Sequence, residues 1–476
     1  MVSSLSISLA KLGHEVRIVI PRYYSINRDE LKHIPGALGV PVGGGEEWSA
    51  IYSAVLPGSP KNSPVDVFFI DHEIFFGKEG IYGTPTEPDF LDNPRRFTFF
   101  CRGVFQLCRK LNWYPDVLHA HDWPAAMAPV FLKFAERVPG SAGGFENTAS
   151  VLTIHNLGYQ GIYSKDNFGY TGLGCDVFYN AGFEDWNMMN FLKAGLYSAD
   201  KLNTVSPNYA EETKTQANGF RLDGVLRYRA ADYSGILNGI DTAVWNPNKD
   251  SLIPQPYSAK DMAGKAAAKK ALQKKFGLAE DPDFPIIGMV TRLSEQKGVG
   301  DLFGPAYGSV WSICNDMKLQ FVLIGTGDQW CENEIRSLSS RLPNFKGYIG
   351  YSEELSHLVE AGSDFFLMPS RYEPCGLNQM YSLIYGALPI VRRTGGLADT
   401  VENYDEDKGT GTGFMFDDLN PSSIYNTVGW AVYAWYNSRD HIDAMRQRAM
   451  KHDFSWEKSA KKYIALYEET LTKIIP

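Results

Sequence analysis

The sequence predicts an α/β protein built from two doubly wound units. Three observations point there: the length, two blocks in which strands and helices alternate, and polar clusters at strand ends. At 476 residues the chain exceeds what one core holds, since domains run to about 100–200 residues. Runs rich in Val, Ile and Phe recur between helical patterns, and near-continuous apolar runs mark parallel strands buried on both faces. Ligands of doubly wound sheets bind beyond the carboxyl ends of the strands, which is where this chain gathers its polar residues.

The first series of strands is VRIVIPRY (16–23), VDVFFID (65–71), DVLHAH (116–121), SVLTIHN (150–156) and KLNTVS (201–206). These predict a parallel sheet within a first unit, residues 1–245. GSAGGFEN (140–147) reads as a surface loop. The Asn, Pro and Gly of ILNGIDTAVWNPNKDSLIPQPYS place the boundary near residues 241–260. KAAAKKALQKKFG, a run of strong helix formers, then opens a second unit, residues 246–455. Its strands are PIIGMVTRL (285–293), LQFVLIGTG (319–327), DFFLMPS (364–370) and LPIVRR (388–393). In the last segment, residues 456–476, Ala460, Tyr463, Tyr467, Leu471 and Ile474 recur at helical spacing and predict an amphipathic helix.

Composition narrows the function. Hydrophobic residues at 44% and charged residues at 21% suit a packed globular protein and exclude a disordered or coiled-coil chain. A formal charge of −9 and a pI near 5.6 speak against a broad nucleic-acid or anionic-membrane surface, so any anion site is small and focused. The six cysteines are scattered without a CxxC, which predicts neither a zinc site nor a disulfide framework and fits a reducing cytoplasm. No run of about 18 apolar residues is present, and the N-terminal MVSSLSISLAKLGHEV lacks the pattern of a signal peptide.

The residues from Pro369 to Val401 carry the strongest chemical signal. Two glycine-marked helix starts follow apolar strands, and such starts offer N–H donors and a positive dipole end to an anion such as a diphosphate. Glu373 stands beside the first and suits sugar hydroxyls or positive charge at an anomeric carbon; a helix cap is the competing reading. The helix after it is expected to turn Leu377, Met380, Tyr381 and Ile384 toward the core. Arg292 and Lys297 share one strand-end loop, with Gly298 behind them. Arg by forked hydrogen bonds and Lys as a point charge neutralise a diphosphate leaving group, against the alternative of two surface cations. Gly395 and Gly396, after Thr394, offer backbone N–H groups to the same anion or simply make a tight turn. Cys375, followed by Gly376 and Leu377, has no local His to activate it and reads as packing near the ligand. His155, at a strand end, suits a sugar hydroxyl or a packing role. His119 and His121 share a strand face, but without a third ligand nearby in sequence no metal is expected. Asn238 enters a turn and reads equally as an Asx turn or a ligand contact.

In combination HAHDWPAA, TIHNLGYQG, GILNGIDTAVWNP, TRLSEQKG, LIGTGD, PSRYEPCGL and TGGLADTV resemble the bacterial glycogen synthases and plant starch synthases over nearly the whole chain. That family comprises retaining glycosyltransferases with two Rossmann-like domains facing a cleft, the glycosyltransferase-B fold. The resemblance implies glucose transfer from ADP-glucose to the non-reducing 4-hydroxyl of an α-1,4-glucan, glycogen or starch, without a metal or other cofactor and without nucleic-acid or membrane partners. By motif, Arg292 and Lys297 look like the diphosphate clamp, and Glu373 like the essential acid near the glucose. His155 looks like the histidine of the family's HN motif at the reacting sugar, Asp122 like the catalytic acid of its HDW motif, Asn238 like the asparagine of the NGID turn near the donor, and Tyr351 like the residue that stacks on adenine. The resemblance also implies a terminal helix that crosses back to the first domain, and domain closure that excludes water. Where related glycosyltransferases place a second Glu eight positions after the first, this chain has Tyr381, as the synthases do. Family members open with a strand and a K-x-G-G-L loop, whereas MVSSLSISLAKLGHEV resembles only the family segment C-terminal to that loop. The expectation is therefore a first unit without that strand and loop, with an unpaired sheet edge and low stability. Two further readings stand beside the synthase: a nucleotide- or glucan-binding relative without activity, and another retaining glycosyltransferase such as a sucrose or trehalose-phosphate type.

Overall fold

The computed structural model describes residues 1–474 and divides into two compact units. The first comprises Met1–Val205, Ala210–Ile236 and the chain from Trp456 onward; the second comprises Ser206–Tyr209 and Leu237–Ser455.

In chain order the first unit holds β1 (Arg17–Pro21), β2 (Lys32–Val42), β3 (Gly45–Val55), β4 (Asp66–Asp71), β5 (Val117–His121) and β6 (Ala149–Ile154). It continues with β7 (Ile162–Ser164), β8 (Glu184–Asp185), β9 (Met188–Asn190), β10 (Lys201–Thr204) and β11 (Tyr233–Gly235). One sheet has the order β11-β10-β6-β5 and is parallel throughout. All six residues of β6 are buried, as a strand covered on both faces requires.

The other large sheet, ordered β1-β4-β3-β2, corrects the expectation of an all-parallel unit: β1 runs parallel to β4, but β3 is antiparallel to both β4 and β2. The β2–β3 hairpin escapes sequence reading because Pro35 and Gly36 interrupt its first strand. A register shift between Ile34 and Leu38 absorbs them, as a bulge does. Gly43, at φ +61°, turns the chain between the paired Val42 and Gly45. β1 and β5 each stand at a sheet edge, and β7, β9 and β8 form a small antiparallel sheet.

The terminal helix Trp456–Leu471 belongs to this unit. Trp456, Ala460, Tyr463 and Leu466 join Leu5, Leu9, Val151 and Ile236 in one buried cluster. Tyr467 packs at its margin, Ile474 lies beyond the helix end, and residues 475–476 of the predicted helix lie outside the described residues.

The second unit holds β12 (Ile286–Leu293), β13 (Gln320–Gly327), β14 (Phe345–Ile349), β15 (Phe365–Met368), β16 (Leu388–Arg392) and β17 (Phe414–Phe416). All are parallel, in the order β14-β13-β12-β15-β16-β17. Separate apolar clusters cover the two faces. Numbered within the unit this is 3-2-1-4-5-6, the doubly wound order whose direction reverses between the first and fourth strands. Here those are β12 and β15. Asp364 pins them at their starts: its N–H donates to the Ile286 carbonyl (2.9 Å) and its carboxylate accepts from the Ile286 N–H (2.9 Å). Lys269 (2.8 Å) and Arg446 (2.5 Å) neutralise that buried carboxylate.

The Ala- and Lys-rich helix Ala263–Phe276 ends at Gly277 in the left-handed conformation, φ +64°. The boundary between units falls at Ile236–Leu237, ahead of the turn-rich stretch at 241–260. The chain from Leu237 is held by the second unit: the Ile240 N–H donates to the Phe454 carbonyl, and Trp245 stacks between His357 and Tyr381 at centroid distances of 3.8 and 3.9 Å.

Candidate active site

Where the strand order of the second unit reverses, the carboxyl ends of β12 and β15 border a pocket of about 210 Å³. Its walls include Arg292, Lys297, Ser370, Glu373, Gly376 and Leu377. The sequence-predicted clamp, acid and turn thus converge at the place where doubly wound sheets bind ligands. Asn378 and Gln296 tie the two loops together: the Asn378 amide donates to the Val290 carbonyl (2.6 Å), and the Arg371 N–H donates to the Gln296 carbonyl (2.8 Å). Gly298 allows their approach. Its φ is +71°, and a Cβ there would lie 2.0 Å from the Pro369 carbonyl oxygen.

Glu373 is 5% exposed. One of its oxygens receives both the Lys297 ammonium (2.5 Å) and the Ser370 hydroxyl (2.8 Å). Lys297 carries three N–H donors, so contact with Glu373 leaves it able to reach a second anion. Arg292 is exposed and meets Gln296 at 3.4 Å. Sequence reasoning missed Ser370; a hydroxyl three residues before a strand-end Glu was the available signal.

Of the two readings of the glycines of TGGLADTV, the geometry shows the tight turn. Gly395 has φ +45°, and a Cβ on it would sit 1.9 Å from the Glu373 carbonyl oxygen. A Cβ on Gly396 would sit 1.9 Å from that of Cys375. The Gly396 N–H donates to the Glu373 carbonyl (3.0 Å), so this donor serves the chain itself. Both residues let the short helix Gly395–Thr400 press against the backbone that carries Glu373. Thr394, which precedes it, is buried.

Burial pushes the Cys375 thiol up to about 12, and the Asn238 backbone N–H reaches its sulfur. This is an inert thiol. The Asn238 side-chain oxygen is buried without a hydrogen-bond partner among the described residues. The helix Asn378–Ile384 departs from the expected apolar face: Gln379, Met380, Ser382 and Leu383 are buried, Leu377 lies before it and is 39% exposed, and Tyr381 stacks on Trp245. Tyr351, in the loop after β14, is 81% exposed and stands outside the pocket lining.

His155 and Asp122 belong to the first unit, after the adjacent strands β6 and β5. The Asp122 carboxylate accepts the His155 N–H (2.7 Å) and the Asn156 N–H (3.4 Å). Asp122 adopts φ +54°, an uncommon conformation for a residue with a side chain. Burial raises its pKa although His155 and these two N–H groups oppose the shift. Burial likewise lowers the pKa of His155, against Asp122. His121, read in sequence only as half of an H-x-H pair, meets His155 at 3.1 Å between ring nitrogens.

Comparison with known proteins gives the family. Residues 1–228 match the starch synthase catalytic domain family, and residues 270–449 match glycosyl transferases group 1. The chain is 58% identical to a glycogen synthase of Treponema denticola over 99% of its own length and 94% of that protein's. It is 43% identical to glycogen synthase 1 of Geobacter metallireducens, covering 98% and 91%. The catalytic domain of starch synthase IV from Arabidopsis thaliana, solved with ADP and acarbose, superposes with a TM-score of 0.86 at 29% identity, covering 99% and 95%. Sucrose-phosphate synthase from Thermosynechococcus elongatus shares the fold alone, at TM-score 0.58 and 16% identity. The chain therefore belongs to the glycogen synthase and starch synthase family of glycosyltransferases, with the two-unit glycosyltransferase-B fold.

Proposed function

We propose that the protein transfers glucose from ADP-glucose to the non-reducing end of an α-1,4-glucan with retention of configuration. The observation that carries this reading is the convergence of Arg292, Lys297 and Glu373 on one pocket at the strand-order reversal. Departure of a nucleoside diphosphate builds negative charge, which the Arg292 fork and the Lys297 ammonium neutralise without a metal. Positive charge grows at the anomeric carbon in the same step, and the Glu373 carboxylate is suited to stabilise it. Asn238, Tyr351, Cys375, Gly376, Leu377, Thr394 and Gly395 complete the donor side in this reading, and Gly396 serves it by holding the backbone of Glu373. His155 and Asp122 are the first unit's contribution to the chemistry.

The ADP and acarbose in the Arabidopsis structure support an adenine nucleotide and an α-glucan as ligand classes, and the 58% identical glycogen synthase supports glycogen as acceptor. The test supplies radiolabelled ADP-glucose or UDP-glucose with glycogen and measures label in precipitated polymer. Incorporation from ADP-glucose in clear preference to UDP-glucose is expected. ADP binding without incorporation from either donor would make the protein a binding relative and sink the proposal.

A further inference from the structure

We propose that His121 is a positioning residue for His155, fixing the orientation of its imidazole and engaging its Nε2 through the hydrogen bond between His121 Nδ1 and His155 Nε2. The inference rests on the reading that His155 serves the transfer reaction.

β5 ends in His119-Ala120-His121, and the two-residue period of a strand turns both rings to one face. Their centroids are 4.2 Å apart with planes 34° from parallel. The partners of His119 decide its tautomer. Asn203 donates through its amide nitrogen to the Tyr463 hydroxyl (3.1 Å) and the Thr204 carbonyl (3.3 Å), so its side-chain oxygen accepts. That oxygen takes the only hydroxyl proton of Thr153. Thr153 Oγ1 must then accept from His119 Nε2–H (2.6 Å), which leaves His119 Nδ1 to accept from the Tyr467 hydroxyl (2.8 Å). His119 is thus held at both nitrogens, by β6 on one side and the terminal helix on the other, as a neutral ring. Burial drives its pKa to about 3, in keeping with that state.

This fixed ring flanks His121, whose Nδ1 lies 3.1 Å from His155 Nε2. Burial lowers both of their pKa values, and the neighbouring imidazoles lower that of His121 further. Two neutral imidazoles share one proton along that line, so one donates and the other accepts. Either assignment commits Nε2 of His155 and leaves Nδ1 as the nitrogen available to another group. The His155 backbone is held separately, by its N–H to Asp122.

A packing role would need only the ring volume of His121, whereas positioning needs a polar atom at Nδ1. H121F keeps the first and removes the second; H121N keeps an amide near Nδ1 and loses the ring. Ring-nitrogen NMR of ¹⁵N-histidine-labelled full-length protein reads the hydrogen bonding of His155 Nε2 directly, and steady-state kinetics reads its consequence. The expected result is a hydrogen-bonded His155 Nε2 in the wild type and in H121N, and loss of that bond in H121F. In H121F kcat falls about tenfold or more, the donor KM changes less than about twofold, and H121N recovers most of kcat. Should H121F not fold, H121A with added imidazole tests the same contact, and recovery of the hydrogen bond at His155 Nε2 is expected. His155 shifts unchanged in H121F, or an H121N as impaired as H121F, would overturn the proposal. The NMR result holds even if the wild type proves inactive in glucose transfer, so failure of the functional reading and failure of the positioning role are separable.

Discussion

Glu373 combines burial with a charge that two neighbours hold in place, so its replacements separate chemistry from folding. Glu373→Gln preserves size and an acceptor for Ser370 while removing the charge. We expect kcat to fall by about 10²–10³-fold with the thermal midpoint nearly unchanged, which steady-state kinetics and calorimetry check together. Lys297→Ala should behave differently. It removes the cation from the buried carboxylate and leaves the Ser370 hydroxyl in place. Since the pair is partly screened, the expected cost is about 2 kcal/mol in equilibrium unfolding, along with a raised donor KM. At Gly396 the demand is steric. A methyl group placed 1.9 Å from the Cys375 carbonyl oxygen forces the helix start away from the Glu373 backbone, so Gly396→Ala should cost about 3 kcal/mol and lower activity in proportion to the displaced acid. Differential scanning calorimetry reads the first effect; an unchanged midpoint would show that the helix start yields freely. The placement of Lys297 and Glu373 was legible in the sequence because each follows a strong apolar strand, and that of Arg292 because it stands near the end of one, β12. The committed N–H of Gly396 and the bond from Ser370 were not, because both depend on how closely two loops approach.

The same contrast holds among the elements. β12, β13, β15 and β16 read as strands because burial on both faces makes them continuously apolar. β14, whose Lys346, Gly347 and Tyr348 are only partly buried or exposed at the sheet edge, and the three-residue β17 gave no such signal. The hairpin β2–β3 was hidden by its prolines and its half-exposed faces. The β5–β6 register that brings His121 to His155 is likewise invisible in sequence, because 34 residues separate the two rings. That cluster makes stability depend on pH. His119, His121 and His155 all have pKa values lowered by burial, so the unfolded chain binds more protons than the folded one wherever ordinary histidine titrates. Their contribution is fully present above about pH 6.5 and is lost as the pH falls toward the folded value of about 3 for His119. Denaturant unfolding at pH 7 and pH 5 should show the lower stability at pH 5, with the difference reduced in a variant lacking His119. Asp364 supplies a second element-scale contact. Burial opposes its ionisation, but Lys269 and Arg446 together hold its pKa below the usual carboxylate range.

At the scale of the whole molecule, the chain enters the second unit for good at Leu237 and leaves it at Ser455, after which the terminal helix completes the first unit's core. A chain ending at residue 455 loses Trp456, Ala460, Tyr463 and Leu466 from one buried cluster. Amide hydrogen exchange should then show reduced protection in β5, β6 and β10, while β12, β13 and β15 keep theirs. Equal loss in both sets would contradict the division into two cores. The architecture and family were legible from motif order along the chain, whereas the antiparallel edge of the first unit needed the structure. Retaining transfer of glucose onto an α-1,4-glucan is tested most directly by the linkage of the product. Label transferred from ADP-glucose to glycogen is digested with β-amylase, which releases maltose from the non-reducing ends of α-1,4-linked chains. The incorporated label is expected to leave as maltose; label that resists digestion, or no incorporation at all, would contradict the proposed reaction.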